Sequence, residues 1–182
     1  MLDKWNRRHA LTALPPSERL EELFLDACVL LPWIEALPPG ALAVDFGSGH
    51  GLSAALLAAA NPRIQVAALE ASGKKVAFIG QLRMELGLEN LRPLAGRAEL
   101  LPPLGAQAGT AKAVGSVDLL LSWWMRHGDG RGPFLALKGP SATGEGRARP
   151  GWTCVAHPYR LPTRGSRVLL EFRESKGVEP RA

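Results

Sequence analysis

The stretch Val44-Asp45-Phe46-Gly47-Ser48-Gly49-His50-Gly51 constrains this chain more than any other. An apolar run, ALAV, precedes it, and an Ala/Leu-rich run, LSAALLAAA, follows. Residues 41–46 are almost all apolar, as in a strand buried on both faces of a parallel sheet. A helix is expected from about Leu52 to Ala60, stopped by Asn61-Pro62. Between them, glycines at alternate positions make a strand-to-helix turn stripped of side chains. Such a turn lets a ligand approach the main chain, and the helix behind it offers free N–H groups and a positive dipole end. The three glycines can instead serve packing, but their density within five positions favours the ligand.

The surrounding sequence repeats the pattern. IQVAALE (64–70) reads as a second strand. Residues 73–86 read as a second helix with Val76, Ile79, Leu82 and Leu86 inward and Gly87 as C-cap. Upstream, Ser17 is the expected N-cap of an amphipathic helix over 17–31, with Leu20, Leu23, Phe24, Ala27, Leu30 and Leu31 at helical spacing. LRPLAG (91–96) is a third strand, which Pro93 assigns to an edge or a strand end. Residues 102–113 are Gly/Ala-rich and give no clear pattern. Residues 114–127 read as a helix in preference to a buried strand, 133–139 as a strand, 140–152 as a flexible loop and 166–174 as a closing strand. Strands alternating with helices across short turns specify an α/β, doubly wound, mostly parallel sheet. A chain of 182 residues fits one domain, 1–182.

Composition limits the function classes. With 46% apolar and 21% charged residues the chain is an ordinary globular protein. No apolar run reaches the roughly eighteen residues that span a bilayer, so no membrane partner is expected. The N-terminal MLDKWNRRHALTAL lacks a continuous apolar segment and does not read as a signal peptide. Cys28 and Cys154 lack metal-ligand spacing, so no metal is expected, and they read as buried thiols in a reducing cytosol. Residues 1–121 carry 11 Lys+Arg against 12 Asp+Glu, whereas residues 122–182 carry 11 against 5. A basic C-terminal third suits a phosphate backbone, and equally a solubilising surface.

Two ligand classes compete for the glycine turn. Dinucleotide sites use G-x-G-x-x-G, which requires glycine at Leu52, yet the third glycine comes one place early at Gly51. D-x-G-x-G-x-G is instead the form that cups S-adenosyl-L-methionine. A ribose-binding acid belongs at the end of the next strand, about twenty residues on. Glu70 stands there.

Reading on, ALEASGKKVAFIGQLRMELGLENLRPLAGRAELL (68–101) resembles the RsmG (GidB) family of bacterial 16S rRNA guanine-N7 methyltransferases, and the likeness runs without forced gaps from Asp45 to Glu99. KWNRRHALTAL, the Leu25-Asp26 pair, LSWWMRHGDGRGPFLALKGP and SRVLLEFRES are similar to further segments of that family. The resemblance implies a class I S-adenosylmethionine-dependent methyltransferase (Rossmann-like) fold with residues 1–38 as a helical N-terminal cap. It further implies 16S rRNA or the small ribosomal subunit as partner, a guanine of the 530 loop as target, and a monomer. By resemblance and position, Gly47, Ser48, Gly49, Gly51 and Leu52 line the methionine end of the cofactor and Asp45 orients the loop. Glu70 takes the ribose hydroxyls, and Ala98 and Glu99 edge the adenine. Lys112 faces the methyl donor or target nucleotide as the catalytic residue. Lys74, Lys75, Arg97 and Lys138 are the expected RNA contacts.

Several positions depart from the family. The helix that precedes W-N in the family is missing, Ala10 replaces the asparagine of N-L-T, and Leu23 and Ala27 replace a histidine and a serine. Ser53-Ala54-Ala55 replaces a Pro-rich continuation of the glycine loop. Lys112 aligns with an arginine, keeping the charge without the planar two-pronged grip. Two alternatives therefore stand: a degenerate fold that binds cofactor or rRNA without turnover, and a small-molecule methyltransferase. Purine N7 has a free lone pair, so the absence of a Ser/His/Asp or Cys/His set fits the leading reading. Trp123 and Trp124 read as helix core rather than as a stacking platform, and His50, His127 and His157 as incidental.

Overall fold

The structure, a computed structural model, describes residues 1–139, 145 and 149–175. Seven strands form one sheet in the order β3-β2-β1-β4-β5-β7-β6. They are β1 (Leu42–Phe46), β2 (Gln65–Glu70), β3 (Leu91–Ala95), β4 (Ala108–Lys112), β5 (Phe134–Lys138), β6 (Trp152–Leu161) and β7 (Gly165–Glu174). Strands β1 to β5 pair in parallel, and β7 runs antiparallel to both β5 and β6. The chain crosses from β3 on one side of β1 to β4 on the other. That reversal opens a crevice at the carboxyl ends of the central strands, where open α/β sheets bind ligands.

Four helices complete the layers: α1 (Leu2–His9), α2 (Leu52–Ala60), α3 (Gly73–Leu86) and α4 (Val117–His127). The strands are apolar on both faces because both faces are covered. Ala43, Val66, Ala68, Leu135 and Leu137 belong to one core with α2 and α3, and Val44, Phe46, Ala67, Phe134 and Ala136 belong to a second core with α4. Helix α2 is buried along most of its length. Its alanines and small turns let it lie close to the sheet.

Several expectations are corrected. The helix expected over 17–31 is a broken run: a 3₁₀ turn Pro16–Glu18, a wide π-type stretch Leu20–Leu25, and α turns Asp26–Cys28 and Leu31–Glu35. Ser17 caps nothing; Pro15 precedes the first turn and no side-chain cap forms. The widened turns shift the phase, so Leu23, Ala27 and Leu30 are buried while Leu20 and Phe24 are exposed. In α3, Ile79 and Leu82 face inward with Phe78, whereas Leu86 is exposed. Gly87 is the C-cap, at φ +63°. Strand β3 is an edge strand, which tolerates Pro93. Residues 108–112, without a clear pattern in sequence, form β4; α1 falls within the segment 1–38 expected to be helical, whereas β6 was not anticipated. Most of the loop expected over 140–152 lies outside the described residues. Among the described residues no helix is long and apolar enough to cross a membrane, and no group of metal-ligating side chains comes together.

Residues 1–38 are tied to both ends of the sheet. Leu2 and Trp5 of α1 pack against the first core, with the Trp5 ring 5.5 Å from Phe78. The broken helical run is fastened to the β6–β7 hairpin by charge. Arg164 pairs with Glu18 and Glu22 at 3.0 Å, Arg167 pairs with Glu22 at 2.7 Å, and Thr163 donates twice to Glu21.

Candidate functional site

Each glycine of the turn has a left-handed backbone, at φ +62° for Gly47, +61° for Gly49 and +70° for Gly51. An L side chain is strained there. Their surroundings differ. A Cβ on Gly51 would stand 2.5 Å from Ile79 Cγ1, and one on Gly47 would stand 2.7 Å from Val114 Cγ2. A Cβ on Gly49 would meet no side chain within 4 Å. Two of the three glycines therefore do serve packing, in addition to the turn, which the sequence reading had set aside. Gly49 is the one that borders open space.

The turn is fixed from both sides by carboxylates. Asp45 at the end of β1 is buried and accepts Ser48 Oγ at 2.6 Å and Thr110 Oγ1 at 2.9 Å. Burial pushes its carboxyl up to about 6, against the pull of the two hydroxyls and Lys112. Glu70 at the end of β2 accepts Gly49 N–H and Ser72 N–H, each at 2.9 Å. A carboxylate has about four lone-pair sites, so two remain open at Glu70.

Two adjoining cavities meet at this turn. The first, about 460 Å³, is lined by Gly47, Gly49, His50, Glu70, Lys75, Arg97, Ala98, Glu99, Lys112 and Trp123, and by Leu11 and Thr12 of the N-terminal segment. The second, about 350 Å³, lies toward Leu14, Glu22, Asp45, Ser48 and Ser53, and shares Gly47, Gly49, His50, Lys112 and Ala113 with the first. A volume of several hundred cubic ångströms with a few convergent polar groups is typical of a small-molecule site. His50 is neutral at pH 7: burial, with Lys112, Lys75 and Arg19 nearby, pushes it down to about 4.

The adenine edge expected at Ala98 and Glu99 is held by one face of α4. His127, fully buried, places Nε2 2.8 Å from Ala98 O. Trp123 Nε1 donates to Glu99 Oε1 at 2.9 Å, and Arg126 Nε donates to Leu101 O at 2.8 Å. Trp124 is core, but Trp123 is half-buried and lines the cavity. His127 and Trp123 thus have contacts at the site that the sequence left unassigned.

Other expected residues are distributed less simply. Leu52 is buried in the first core and Gly51 packs on Ile79; neither lines a cavity. Lys112 reaches both cavities, but its Nζ sits 2.6 Å from Asp26 Oδ2 and bonds Glu22 O, while Tyr159 Oη donates to Asp26 Oδ1 at 2.5 Å. The buried Asp26 carboxylate is thereby matched. Ala113, next to Lys112, has φ +53°, a strained non-glycine conformation at the cavity wall. Lys75 and Arg97 line the first cavity and Lys74 is exposed beside them. Lys138 is apart from them, paired with Glu145 at 2.9 Å and donating to Gly115 O. Asp26, Thr110, Leu11 and Thr12 are further site residues missed in sequence. Asn6 holds Thr12 in place by accepting its N–H at 2.8 Å and donating to its carbonyl at 3.0 Å.

Comparison with known proteins adds family evidence. The family model GidB, described as rRNA small subunit methyltransferase G, matches residues 1–156. The chain is 34% identical over 166 residues to ribosomal RNA small subunit methyltransferase G of Neisseria gonorrhoeae, covering 91% of this chain and 79% of that protein. It is 33% identical over 187 residues to the protein of the same name from Aeromonas hydrophila, covering all of this chain and 86% of that protein. Among solved structures, magnesium protoporphyrin IX methyltransferase from Synechocystis with bound SAM superposes with a TM-score of 0.68 at 16% identity, covering 94% of this chain and 90% of that one. That likeness establishes the class I methyltransferase fold.

Proposed function

The chain belongs to the rRNA small subunit methyltransferase G family, and on that premise we propose that it transfers a methyl group from S-adenosyl-L-methionine to N7 of a guanine in the 530 loop of 16S rRNA. One observation carries the site assignment: Gly49, bordering open space, donates its N–H to Glu70 at the mouth of the 460 Å³ cavity. The alternating-glycine turn and the strand-end acid form one cradle. Glu70 has spare acceptor sites for the ribose hydroxyls, and the Ala98–Glu99 turn supplies a backbone N–H and a carboxylate for the adenine. Gly47, Ser48 and Gly49 border the methionine end, with Asp45 holding the loop through Ser48.

The bound cofactor supplies an electrophilic sulfonium methyl. Because N7 already has an exposed lone pair, the protein needs no general base. Its task is to hold acceptor, methyl carbon and sulfur in line, which intramolecular positioning accelerates by many orders of magnitude. Lys112, matched by Asp26, adds little net charge beside a sulfonium, while its side chain lines both cavities. Lys74, Lys75 and Arg97 form a cationic rim suited to RNA phosphates. Residues 1–38 act as a cap within a single methyltransferase domain, and the chain works as a monomer. An rRNA substrate implies the cytoplasm, where ribosomes assemble.

The test combines calorimetry with the cofactor product and methyl transfer to 16S rRNA and to small subunits from cells lacking the chain. Mass mapping is expected to find one N7-methylguanine in the 530 loop. Cofactor binding without methyl transfer to either RNA substrate would support the degenerate reading instead.

A further inference from the structure

Part of the basic third of the sequence is neutralised in the fold. Arg164 and Arg167 pair with Glu18 and Glu22, Arg173 pairs with Glu171, and Lys138 pairs with Glu145. Unmatched positive charge also lies outside that third. On α1, Lys4, Arg7 and Arg8 stand at i, i+3 and i+4, so they share one helix face, and all three are exposed. Among the described residues no carboxylate pairs with any of them; Asp3, the acid on this helix, is taken by Arg19.

The opposite face of α1 is already used. Leu2 and Trp5 pack on the core, Asn6 fastens Thr12, and the His9 ring lies 5.2 Å from Trp5. Leu11 and Thr12 continue directly into the wall of the first cavity. The chain thus leads from the basic helix within a few residues into the wall of the cavity that Lys75 and Arg97 also line. We propose that Lys4, Arg7 and Arg8 of α1 form an RNA phosphate-binding surface that extends the rim of the site. The proposal rests on the rRNA substrate argued above. A basic amphipathic helix can also lie on an anionic membrane, but that mode requires a free apolar face, and here that face is against α3.

The test uses the full chain with all three residues changed to glutamine, which removes charge without placing acids at the helix C-terminus. An Arg63→Gln control removes one exposed cation before β2, at the opposite end of the strands. Binding to protein-free 16S rRNA and to the small subunit is measured over a range of salt. Each lost phosphate contact removes about 0.7–0.9 from the slope of log affinity against log salt. The triple variant is expected to bind roughly 10- to 100-fold more weakly at 0.1 M salt, with the slope reduced by about 2. Cofactor-product affinity and melting temperature stay at the wild-type values, and the control keeps the wild-type slope. A folded triple variant with an unchanged slope, while wild type binds and methylates RNA, overturns this surface alone. Wild type that binds neither protein-free 16S rRNA nor the small subunit overturns both readings. Loss of binding to phosphatidylglycerol vesicles with RNA affinity intact would assign the face to a membrane and overturn the proposal.

Discussion

Gly49 and Gly51 share a left-handed backbone but differ in what surrounds them, so Gly49→Ala and Gly51→Ala should fail differently. Both substitutions place a Cβ at positive φ, which costs about 1–2 kcal/mol. At Gly51 the new atom also collides with Ile79, 2.5 Å away. Overpacking of this kind adds about 1–3 kcal/mol. The expected losses are therefore about 2–5 kcal/mol for Gly51→Ala and about 1–2 kcal/mol for Gly49→Ala. In a chain of this size each kcal/mol moves the melting temperature by roughly 2–4 °C, so Gly51→Ala should melt roughly 5–20 °C lower. Cofactor-product affinity, measured by calorimetry on the folded fraction, should fall at least tenfold for Gly49→Ala, whose new methyl projects toward the cavity. Ile79→Ala removes the atoms that clash, so the double variant Gly51→Ala/Ile79→Ala should be more stable than the summed losses require, by at least about 1 kcal/mol. Strict additivity, or equal stability losses at both glycines with cofactor affinity intact, would refute the distinction between a packing glycine and a ligand-facing one.

Three further outcomes follow from described contacts. Lys112→Met leaves the buried Asp26 carboxylate without its cation and should cost about 3–5 kcal/mol in urea denaturation, with Asp26→Asn restoring much of the loss. The Asp45 carboxyl has its folded-state pKa raised from 3.8 to about 6, so native chains hold the proton more tightly and stability falls as pH rises across that window. Comparing wild type with Asp45→Asn between pH 4 and 6 should isolate a difference on the order of 3 kcal/mol, and a flat difference would deny the burial effect. Ala10, the C-cap of α1, has φ +47°; Ala10→Gly relieves that strain and should stabilise the chain by about 1 kcal/mol in the same assay.

The central half of the fold was legible because β1, β2, α2 and α3 combine apolar runs with strong stops. Strand β4 was not, for a packing reason. A Cβ on Gly109 would lie 2.6 Å from the Trp124 ring and 2.8 Å from Phe134, so this buried strand must be built from small residues with weak strand character. Strand β6 was hidden because it is an edge: Pro158 sits opposite Val168 and half of its residues are exposed. Helix α1 is short and mostly polar, and its inward positions come clear only once Phe78 is seen against Trp5. At the site, Asp45, Gly49 and Glu70 could be read because their spacing is local. The pairings Lys112–Asp26, His127–Ala98 and Tyr159–Asp26 could not, since residues 29 to 133 positions apart meet only through the sheet order.

The charged seam between Glu18, Glu21, Glu22 and Thr163, Arg164, Arg167 has a consequence for synthesis. The segment that walls the cavity is made before the hairpin that secures it, with the parallel strands β1 to β5 and their helices synthesised in between. A nascent chain that already holds its glycine turn and Glu70 still lacks this fastening until the β6–β7 hairpin has been made. Release of a product shortened before Thr163 would leave the cleft unlatched.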